Sequence, residues 1–252
     1  MDLLKRILNR LKYDIQRFWH RRDYECRILI PFDENWFKGK RVALVGGADS
    51  VLKEKLGAYI DGFDVVVRIN RGVEVLDKQK DYVGSRTDFL FHLFQEGDLP
   101  GDSPVTPKLW EEKNVGVVVF SLNVFRSSYG FFTVKKVVER TKKKFRFAQV
   151  VPEHYKANAE VLHPFPPTTG FVAINTIMQC MPEELYLTGI TFFKTAHNAA
   201  YRSGDLTYYQ DLFRNNGIHN PELEYRHVKN LYLSYPDVLV PDNTLREIFE
   251  TN

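Results

Sequence analysis

The stretch RVALVGGADSVLKEKLGAYIDGFDVVVRIN, residues 41–70, decides the fold of this chain. It begins with an apolar run, turns at two glycines and ends in a second apolar run that is rich in valine. Between the two runs, Leu52, Leu56 and Ile60 recur at the spacing of one helix face. The order of strand, glycine turn, helix and strand predicts a βαβ unit, whose two strands pair in parallel.

Further apolar runs of strand length follow along the chain, with helical patterns between them. Each predicted strand is rich in β-branched or aromatic residues and ends at polar or turn residues. The predicted strands are 88–94, 114–123, 145–151, 183–190 and, from a weaker pattern, 228–233. Helical patterns cover 133–144 and 170–181. Strands that alternate with helices predict a single α/β domain with a mostly parallel central sheet, flanked by helices.

Composition narrows the classes of protein that the chain can belong to. The 252 residues are 44% hydrophobic, which is enough for a substantial core. A formal net charge of +3 is too small to indicate a nucleic-acid partner. Two cysteines and the lack of an Asn-x-Ser/Thr sequon indicate a reducing, cytoplasmic setting. No apolar run reaches the ~18 residues that a membrane-spanning helix needs.

The first 22 residues, MDLLKRILNRLKYDIQRFWHRR, differ in character from the rest of the chain. Leucines and isoleucines recur at helical spacing, and lysines and arginines fill the opposite face. A basic amphipathic helix of this kind lies on anionic membrane surfaces, or packs on its own domain or on a partner chain. We expect residues 1–38 to form a basic amphipathic segment, with peripheral membrane contact through residues 3–22, and residues 39–252 to form the functional domain.

Two turns follow the first two predicted strands. Gly46, Gly47, Asp49 and Ser50 form the first turn, where glycines let a backbone approach a phosphate or a sugar. An ordinary strand-to-helix turn explains the same residues equally well. Asn70 follows the second strand, at the sheet edge where open α/β folds bind ligands. Its amide suits a nucleobase or a ribose, and the alternative is a turn-forming asparagine.

The stretch FPPTTGFVAINTIMQC, residues 165–180, leads from two prolines into an apolar helix. Thr168 or Thr169 is the natural N-cap for a helix that begins near Gly170. The simplest interpretation is a cap and nothing more. The end of a buried helix with free hydroxyl and N–H groups also binds carboxylates and phosphates, so we expect an anion site here.

His219 and Glu224 are separated by four residues near the end of the chain. This spacing also fits a helix start at which the glutamate completes a cap, so the pair alone does not establish catalysis. The irregular segment 191–220, which contains His197, predicts a loop region over a site. The chain has no H-E-x-x-H, C-x-x-C or Asp-x-Asp motif, and we therefore predict no metal and no other cofactor.

Together, four segments resemble the sialylmotifs of the animal sialyltransferases, glycosyltransferase family 29. Residues 41–92 resemble the large motif, and PPTTGFVAINTIMQCMPEELYLTG, residues 166–189, resembles the small motif. TYYQDLF, residues 207–213, and HNPELE, residues 219–224, are similar to the third and very small motifs. Their order and spacing agree with the family over residues 41–230.

The resemblance implies a GT-A-like, Rossmann-related fold and the transfer of sialic acid from CMP-sialic acid, with inversion and without a metal. It implies that His219 is the general base and that Glu224 is the second functional residue of its motif. Other family positions contact the CMP donor and its phosphate. Here those positions are Asn70, Thr168, Thr169, Gly170, Tyr208 and Tyr209.

Departures from the family pattern carry further expectations. Val42 stands where the large motif has a cysteine that pairs with the small motif, so Cys180 has no such partner. In the glycine turn, donor contacts must come from the main chain at Gly47 or Ala48, or from Asp49 and Ser50. Thr207 replaces a histidine, and the membrane anchor of the Golgi enzymes is not seen. These departures suggest a bacterial or viral relative that acts at the cytoplasmic membrane face on a glycan or glycolipid.

Three alternatives remain open from the residues. The donor can be CMP-Kdo, another CMP-linked 2-keto sugar acid, in capsule or lipopolysaccharide synthesis. The chain can be a CMP-binding module without catalysis, or a membrane-surface scaffold that uses the basic helix alone. For the acceptor, we expect contacts from residues 195–201, including His197, and from the loop near residues 125–129.

Overall fold

A computed structural model describes residues 11, 15, 29–97, 102–121, 128–141, 144–203, 205–216 and 219–251. The predicted amphipathic helix over residues 3–22 lies outside this part of the chain, apart from Leu11 and Ile15, which are helical and exposed. The loop near residues 125–129, predicted to contact the acceptor, also lies outside it, except for its last two residues at the start of a helix.

Seven strands of the described residues form one sheet in the order β5-β4-β3-β2-β1-β6-β7. Every neighbouring pair in the sheet is parallel. The strands are β1 Arg41–Val45, β2 Val65–Ile69, β3 Phe89–His92, β4 Val117–Phe120, β5 Arg146–Gln149, β6 Glu184–Thr188 and β7 Leu239–Pro241. The predicted α/β fold with a mostly parallel sheet is confirmed.

Helices cover both faces of the sheet, so its central strands are buried on both sides. The helices are α1 Gly57–Asp61, α2 Leu76–Val83, α3 Pro107–Glu112, α4 Ser128–Arg140, α5 Pro152–Val161, α6 Thr169–Gln179, α7 Leu206–Asn216, α8 Pro221–Ser234 and α9 Asn243–Thr251. In β1, Ala43 and Val45 pack into one core cluster, and Val42 and Leu44 pack into the other. Within the described residues, no helix has the length and apolar character needed to cross a bilayer.

The predicted strand at residues 228–233 is wrong, because these residues belong to helix α8. Val228 is fully buried, whereas Leu233 is 63% exposed, and Leu231 and Tyr232 pack on the same core as Val228. This i, i+3, i+4 pattern is that of a helix face rather than of a strand. Asn220 caps the helix by accepting a hydrogen bond from the Leu223 N–H.

Two other segments differ from the sequence predictions in their helical content. The predicted helix over residues 51–60 is a 3-10 turn at Asp49–Leu52 followed by the short helix α1. The segment 191–220, predicted to be irregular, contains helix α7. In the first case Gly57 packs its Cα directly against the Lys80 carbonyl, which keeps α1 close to α2.

Residues 29–37 pack against the sheet at β5 and β3. Leu29 forms a parallel bridge with Phe147, and the Phe37 ring lies 4.8 Å from the Phe89 ring between centroids. Phe32 contacts Phe37 from the other side. This part of the chain therefore contributes to the core, and the predicted boundary at residue 38 stays a prediction.

We predict that Phe37→Ala lowers the free energy of unfolding by about 3–4 kcal/mol, because it leaves a cavity in a fully buried aromatic cluster. Urea unfolding followed by fluorescence measures the change. Tyr235→Ala, at a half-exposed aromatic position, is the matched control and should cost under about 1 kcal/mol. Equal effects of the two variants would contradict the assignment of Phe37 to the core.

Candidate functional site

A cavity of about 120 Å³ lies at the carboxyl ends of β1, β2 and β6. Ligands bind at this edge in open α/β sheets, because the connections diverge there and leave a crevice. The walls include Gly47, Asn70, Thr169, Gly170, His197 and Arg202. We refer to this space as the strand-end cavity.

The glycine turn after β1 is shaped by packing against the protein itself. A Cβ atom on Gly46 would clash with the Gly189 carbonyl, and one on Gly47 would clash with the Tyr201 ring. The N–H groups of Ala48 and Asp49 donate to the carbonyls of Gly189 and Ala196. The lack of side chains at these glycines therefore lets the loop after β6 approach the turn. From the sequence, the glycines were explained by a ligand contact or by an ordinary turn.

Of the four turn residues predicted to bind a donor, Gly47 lines the strand-end cavity. Gly46, Asp49 and Ser50 are not among its lining residues, and the Ser50 side chain is buried. Asn70 lies in the wall with a left-handed backbone, φ 46°. Its Oδ1 accepts a hydrogen bond from the Leu93 N–H at 3.1 Å, which leaves the NH₂ group as the donor for a ligand.

Helix α6 begins at the cavity, and Thr168 is its N-cap, as predicted. The Thr168 hydroxyl accepts from the Phe171 N–H at 3.2 Å and donates to Glu224 Oε2 at 2.7 Å. The Thr168 N–H donates to Glu224 Oε1, also at 2.7 Å. The expectation of a free hydroxyl at Thr168 is therefore wrong. The first N–H groups of a helix have no partner inside it, so the prediction of an anion site here now depends on the backbone at Thr169 and Gly170.

Glu224 is only 2% exposed, and its two carboxyl oxygens bind Thr168. Burial disfavours the charged form and raises the pKa of Glu224 to about 7, although the two hydrogen bonds from Thr168 act in the opposite direction. The carboxyl group is thus engaged in holding the start of α6. Glu224 also lines the strand-end cavity itself.

His219 lines a second cavity of about 570 Å³, which we refer to as the histidine cavity. The histidine Nδ1 lies 2.7 Å from the Pro166 carbonyl oxygen. A carbonyl can only accept, so Nδ1 carries the proton and Nε2 of the neutral ring is an acceptor. Burial lowers the pKa of His219, which favours this neutral form. The ring is therefore prepared to take a proton at Nε2.

Phe192 and Phe193 line both cavities and separate them. Both have left-handed backbones, with φ of 51° and 57°, which is unusual for aromatic residues. The Phe193 ring packs 4.5 Å from Phe213 on one side and 5.3 Å from His197 on the other, between centroids. Strained backbone of this kind persists where the surrounding packing enforces it, and it occurs often at functional sites.

His197 belongs to the strand-end cavity, whereas Tyr208 and Tyr209 are not among its lining residues. The Tyr209 hydroxyl donates to the Ser203 carbonyl at 2.6 Å, and Tyr208 is 38% exposed. Tyr209 still supports the wall, because its ring lies 4.4 Å from the His197 ring. Burial, and secondly the charge of Arg202, lower the pKa of His197 to about 4, so this ring is neutral.

Tyr201 and Arg202 line the strand-end cavity. Tyr201 is the last residue of the segment 195–201 that was predicted to contact the acceptor, whereas Arg202 was missed by the sequence reasoning. The Tyr201 hydroxyl donates to the Ile69 carbonyl at the end of β2, and its ring stacks near His197. The available signal was a tyrosine and an arginine together in an otherwise irregular segment between a strand and a helix. Among the residues that the structure describes, no group of three acidic, histidine or cysteine residues is arranged to hold a metal ion.

The comparisons with known proteins agree in pointing to one family. The family model described as glycosyltransferase family 29 (sialyltransferase) matches residues 31–97. A rat type 2 lactosamine alpha-2,3-sialyltransferase is 28% identical over 230 residues, which cover 82% of this chain and 65% of that protein. The human protein of the same name is 26% identical over 237 residues, with the same two shares. The chain is therefore similar to sialyltransferases of glycosyltransferase family 29. It spans less than two thirds of the length of these relatives.

Solved structures show the same fold at low sequence identity. A mammalian sialyltransferase in complex with Gal-beta-1-3GalNAc-ortho-nitrophenol matches with a TM-score of 0.54 and 15% identity, over 90% of this chain and 85% of that chain. The sialyltransferase CstII from Campylobacter jejuni, in complex with cytidine-5'-monophosphate, matches with a TM-score of 0.52 and 15% identity, over 84% of each chain. The predicted GT-A-like fold is confirmed.

The segment 219–224, which resembles the very small motif, contacts the residues that lead into α6 at two points. His219 binds the Pro166 carbonyl, and Glu224 binds the hydroxyl and N–H of Thr168. The contact continues along the helices, because His227 Nε2 lies 3.0 Å from the oxygen of the Asn175 side chain. The small and very small motifs are therefore one physical unit, although residues 190–218 separate them in the sequence.

The structure also shows the surroundings of Val42 and Cys180, where the sequence differs from the family's cysteine pair. Val42 is fully buried in β1, and Cys180 is a free, buried thiol whose Sγ donates to the Thr176 carbonyl at 3.1 Å. Burial raises the pKa of Cys180 to about 12, so the thiol stays protonated and unreactive.

We predict that Glu224→Gln flattens the dependence of stability on pH between about 4.5 and 7. The folded pKa of about 7 lies above the ordinary value of 4.5, so Glu224 binds more protons in the folded than in the unfolded protein over this range, and its contribution to stability falls as pH rises. The loss is about 3 kcal/mol. Urea unfolding across this pH range measures it in both proteins. Glu250→Gln, at an exposed position of α9, should keep the wild-type slope, and a slope that also survives in Glu224→Gln would contradict the assignment.

Proposed function

We propose that the protein is an inverting, metal-independent sialyltransferase, which moves sialic acid from its CMP donor to a glycan hydroxyl. The observation that carries the proposal is the histidine at position 219, whose Nδ1 is fixed on the Pro166 carbonyl and whose Nε2 is left as an acceptor. The cavity that this ring lines adjoins the strand-end cavity along Phe192 and Phe193. The match of residues 31–97 to the sialyltransferase family model supports the reaction class.

The donor is proposed to begin in the strand-end cavity. The Asn70 NH₂ group would bind the nucleotide, and the backbone at Thr169 and Gly170 would face the phosphate or the sugar carboxylate. This cavity of about 120 Å³ is small for a nucleotide sugar, since ligand sites usually reach several hundred. The donor would therefore extend past Phe193 into the histidine cavity. A sialyltransferase of similar fold, CstII from Campylobacter jejuni, is described in complex with cytidine-5'-monophosphate.

The reaction follows from this placement. The acceptor hydroxyl attacks the anomeric carbon of the sugar and gives its proton to Nε2 of His219. The bond from that carbon to the phosphate oxygen breaks, and CMP leaves with the electron pair. Attack on the face opposite the leaving group inverts the anomeric centre. Glu224 acts here as a positioning residue, because it orients Thr168 and the start of α6.

Arg202 is proposed to stabilise the leaving phosphate. Arg202 lines the strand-end cavity, as do His197 and Tyr201. Burial lowers the pKa of His197 and raises the pKa of Tyr201, and the positive charge of Arg202 is the second influence on each, acting downward in both cases. A fixed cation at the departing phosphate lowers the barrier without a metal.

The acceptor sugar is proposed to enter the histidine cavity. Phe165, Phe193 and Phe213 supply aromatic walls, which suit the apolar faces of a sugar ring. His197 lies on the other side of Phe193, and its predicted contact with the acceptor stays a prediction. We expect the donor sugar to be sialic acid, and CMP-Kdo is the alternative donor to assay beside it.

We predict that His219→Asn lowers kcat for transfer by about 10² to 10⁴, because asparagine can still donate to the Pro166 carbonyl but cannot accept the proton. The Kd for CMP should change by less than about threefold, since the base does not bind the nucleotide. A coupled assay of CMP release and calorimetry with CMP measure the two quantities. His154→Gln, on α5 and outside both cavities, is the control.

The pH profile provides a second measurement on the same residue. Because burial lowers the pKa of His219 and the base must be neutral, kcat/KM should rise with pH and reach half its maximum below pH 6.5. The acidic limb should disappear in His219→Asn. A variant with wild-type turnover, or a limb that stays in place, would exclude His219 as the base.

We predict that Arg202→Gln raises the Kd for CMP about tenfold, because a charge-assisted hydrogen bond to the phosphate is lost. Binding of cytidine, which lacks the phosphate, should change by less than about twofold. Arg246→Gln, at an exposed position of α9, controls for the loss of one positive charge. Equal losses for CMP and cytidine would place Arg202 away from the phosphate.

A further inference from the structure

A positively charged depression of about 430 Å³ adjoins the histidine cavity. It is lined by Lys194, Glu222, Tyr225, Arg226, Lys229 and Asn230. We refer to it as the basic basin. Lys194 and Glu222 line the histidine cavity as well, so the two spaces share a wall.

The lining of the basic basin holds more positive than negative charge. Glu222 is its one carboxylate, and it is shared by Lys194 Nζ at 3.3 Å and Arg226 Nε at 3.1 Å. Lys229 adds a third cation, whose Nζ lies 5.9 Å from the centroid of the Tyr225 ring. Three cations against one carboxylate leave an excess of two positive charges in the lining. Isolated surface ion pairs stabilise a fold by little, so stability does not explain this excess.

The basin is built on rigid elements rather than on loose side chains. Glu222, Arg226 and Lys229 lie along one face of α8 at spacings of four and three residues. Tyr225 forms the floor, since its ring is buried and its hydroxyl donates to the Ile248 carbonyl. Lys194 Nζ lies 4.2 Å from the centroid of that ring, which fixes the ammonium at the boundary with the histidine cavity.

We infer that the basic basin binds a negatively charged group of the acceptor glycan, a carboxylate or a phosphate. This inference rests on the proposed function. An acceptor whose reacting sugar lies beside His219 extends across Lys194 and Glu222 into the basin. The protein would therefore prefer an acceptor with an anionic group on the sugar next to the reacting one. Both sources share the chemistry of an oxyanion facing lysine and arginine donors.

The test compares a neutral β-galactoside disaccharide with two derivatives, which carry a carboxylate or a phosphate on the second sugar. We expect kcat/KM to be about tenfold higher for at least one charged derivative. The double variant Arg226→Gln, Lys229→Gln should reduce this ratio to less than about twofold. Raising ionic strength from about 0.1 M to about 1 M should reduce it in the wild type too. The two derivatives distinguish a carboxylate acceptor from a phosphate acceptor.

The control is Lys135→Gln, Lys156→Gln, which removes the same charge from helices α4 and α5 and should keep the wild-type ratio. A wild-type ratio near one, or a preference that survives in the basin variant, would overturn the inference while leaving the proposed function intact. If no acceptor is turned over, the proposed function fails. In that case, an NMR titration of the CMP-saturated protein with the three disaccharides gives the ratio of their Kd values. This ratio, charged against neutral, then decides whether the basin binds the anionic group.

Discussion

The two hydrogen bonds between Thr168 and the buried Glu224 carboxyl group are the constraint on which the site depends. They join the start of α6 to the first turn of α8, and both bonds are 2.7 Å long. A buried carboxyl group must have partners, because an unpaired one costs several kcal/mol. The helix start that faces the strand-end cavity is therefore held in one orientation. Because α8 begins directly after His219, the same contact also fixes where the histidine lies.

Burial shifts the pKa values of His219 and Glu224 in opposite directions, and both shifts favour the uncharged side chain. It lowers the pKa of His219 and raises the pKa of Glu224. The histidine is consequently neutral near pH 7, as the proposed base has to be. Glu224 is partly protonated there, which limits the negative charge beside the proposed donor, since that donor carries a phosphate and a carboxylate. An ionised glutamate in an open site would repel that donor.

The sequence was sufficient for the fold and for the helix cap, because both are set by local patterns. Valine-rich runs and a glycine turn predict parallel strands, and Thr168 before an apolar run predicts an N-cap. The strand predicted at residues 228–233 failed because a short apolar run has the same composition in a buried strand and on one face of a helix. Burial of Val228 beside exposed Leu233 becomes visible only once the tertiary packing is known.

The site was harder to predict than the fold, because its walls come from segments that are distant in sequence. From the sequence, Gly47 either made room for a ligand or belonged to an ordinary turn; in the structure it makes room for the Tyr201 ring, which forms part of the wall beside it. Tyr201 and Arg202 have no periodic pattern around them, and only the approach of the loop after β6 to the turn after β1 brings them to the cavity. The tyrosines of the third motif stand behind this layer, and Tyr209 supports His197 rather than lining the cavity. In this chain, the motif to which a residue belongs therefore does not show whether its side chain lines the cavity or supports the lining from behind. The packing of the residue shows this.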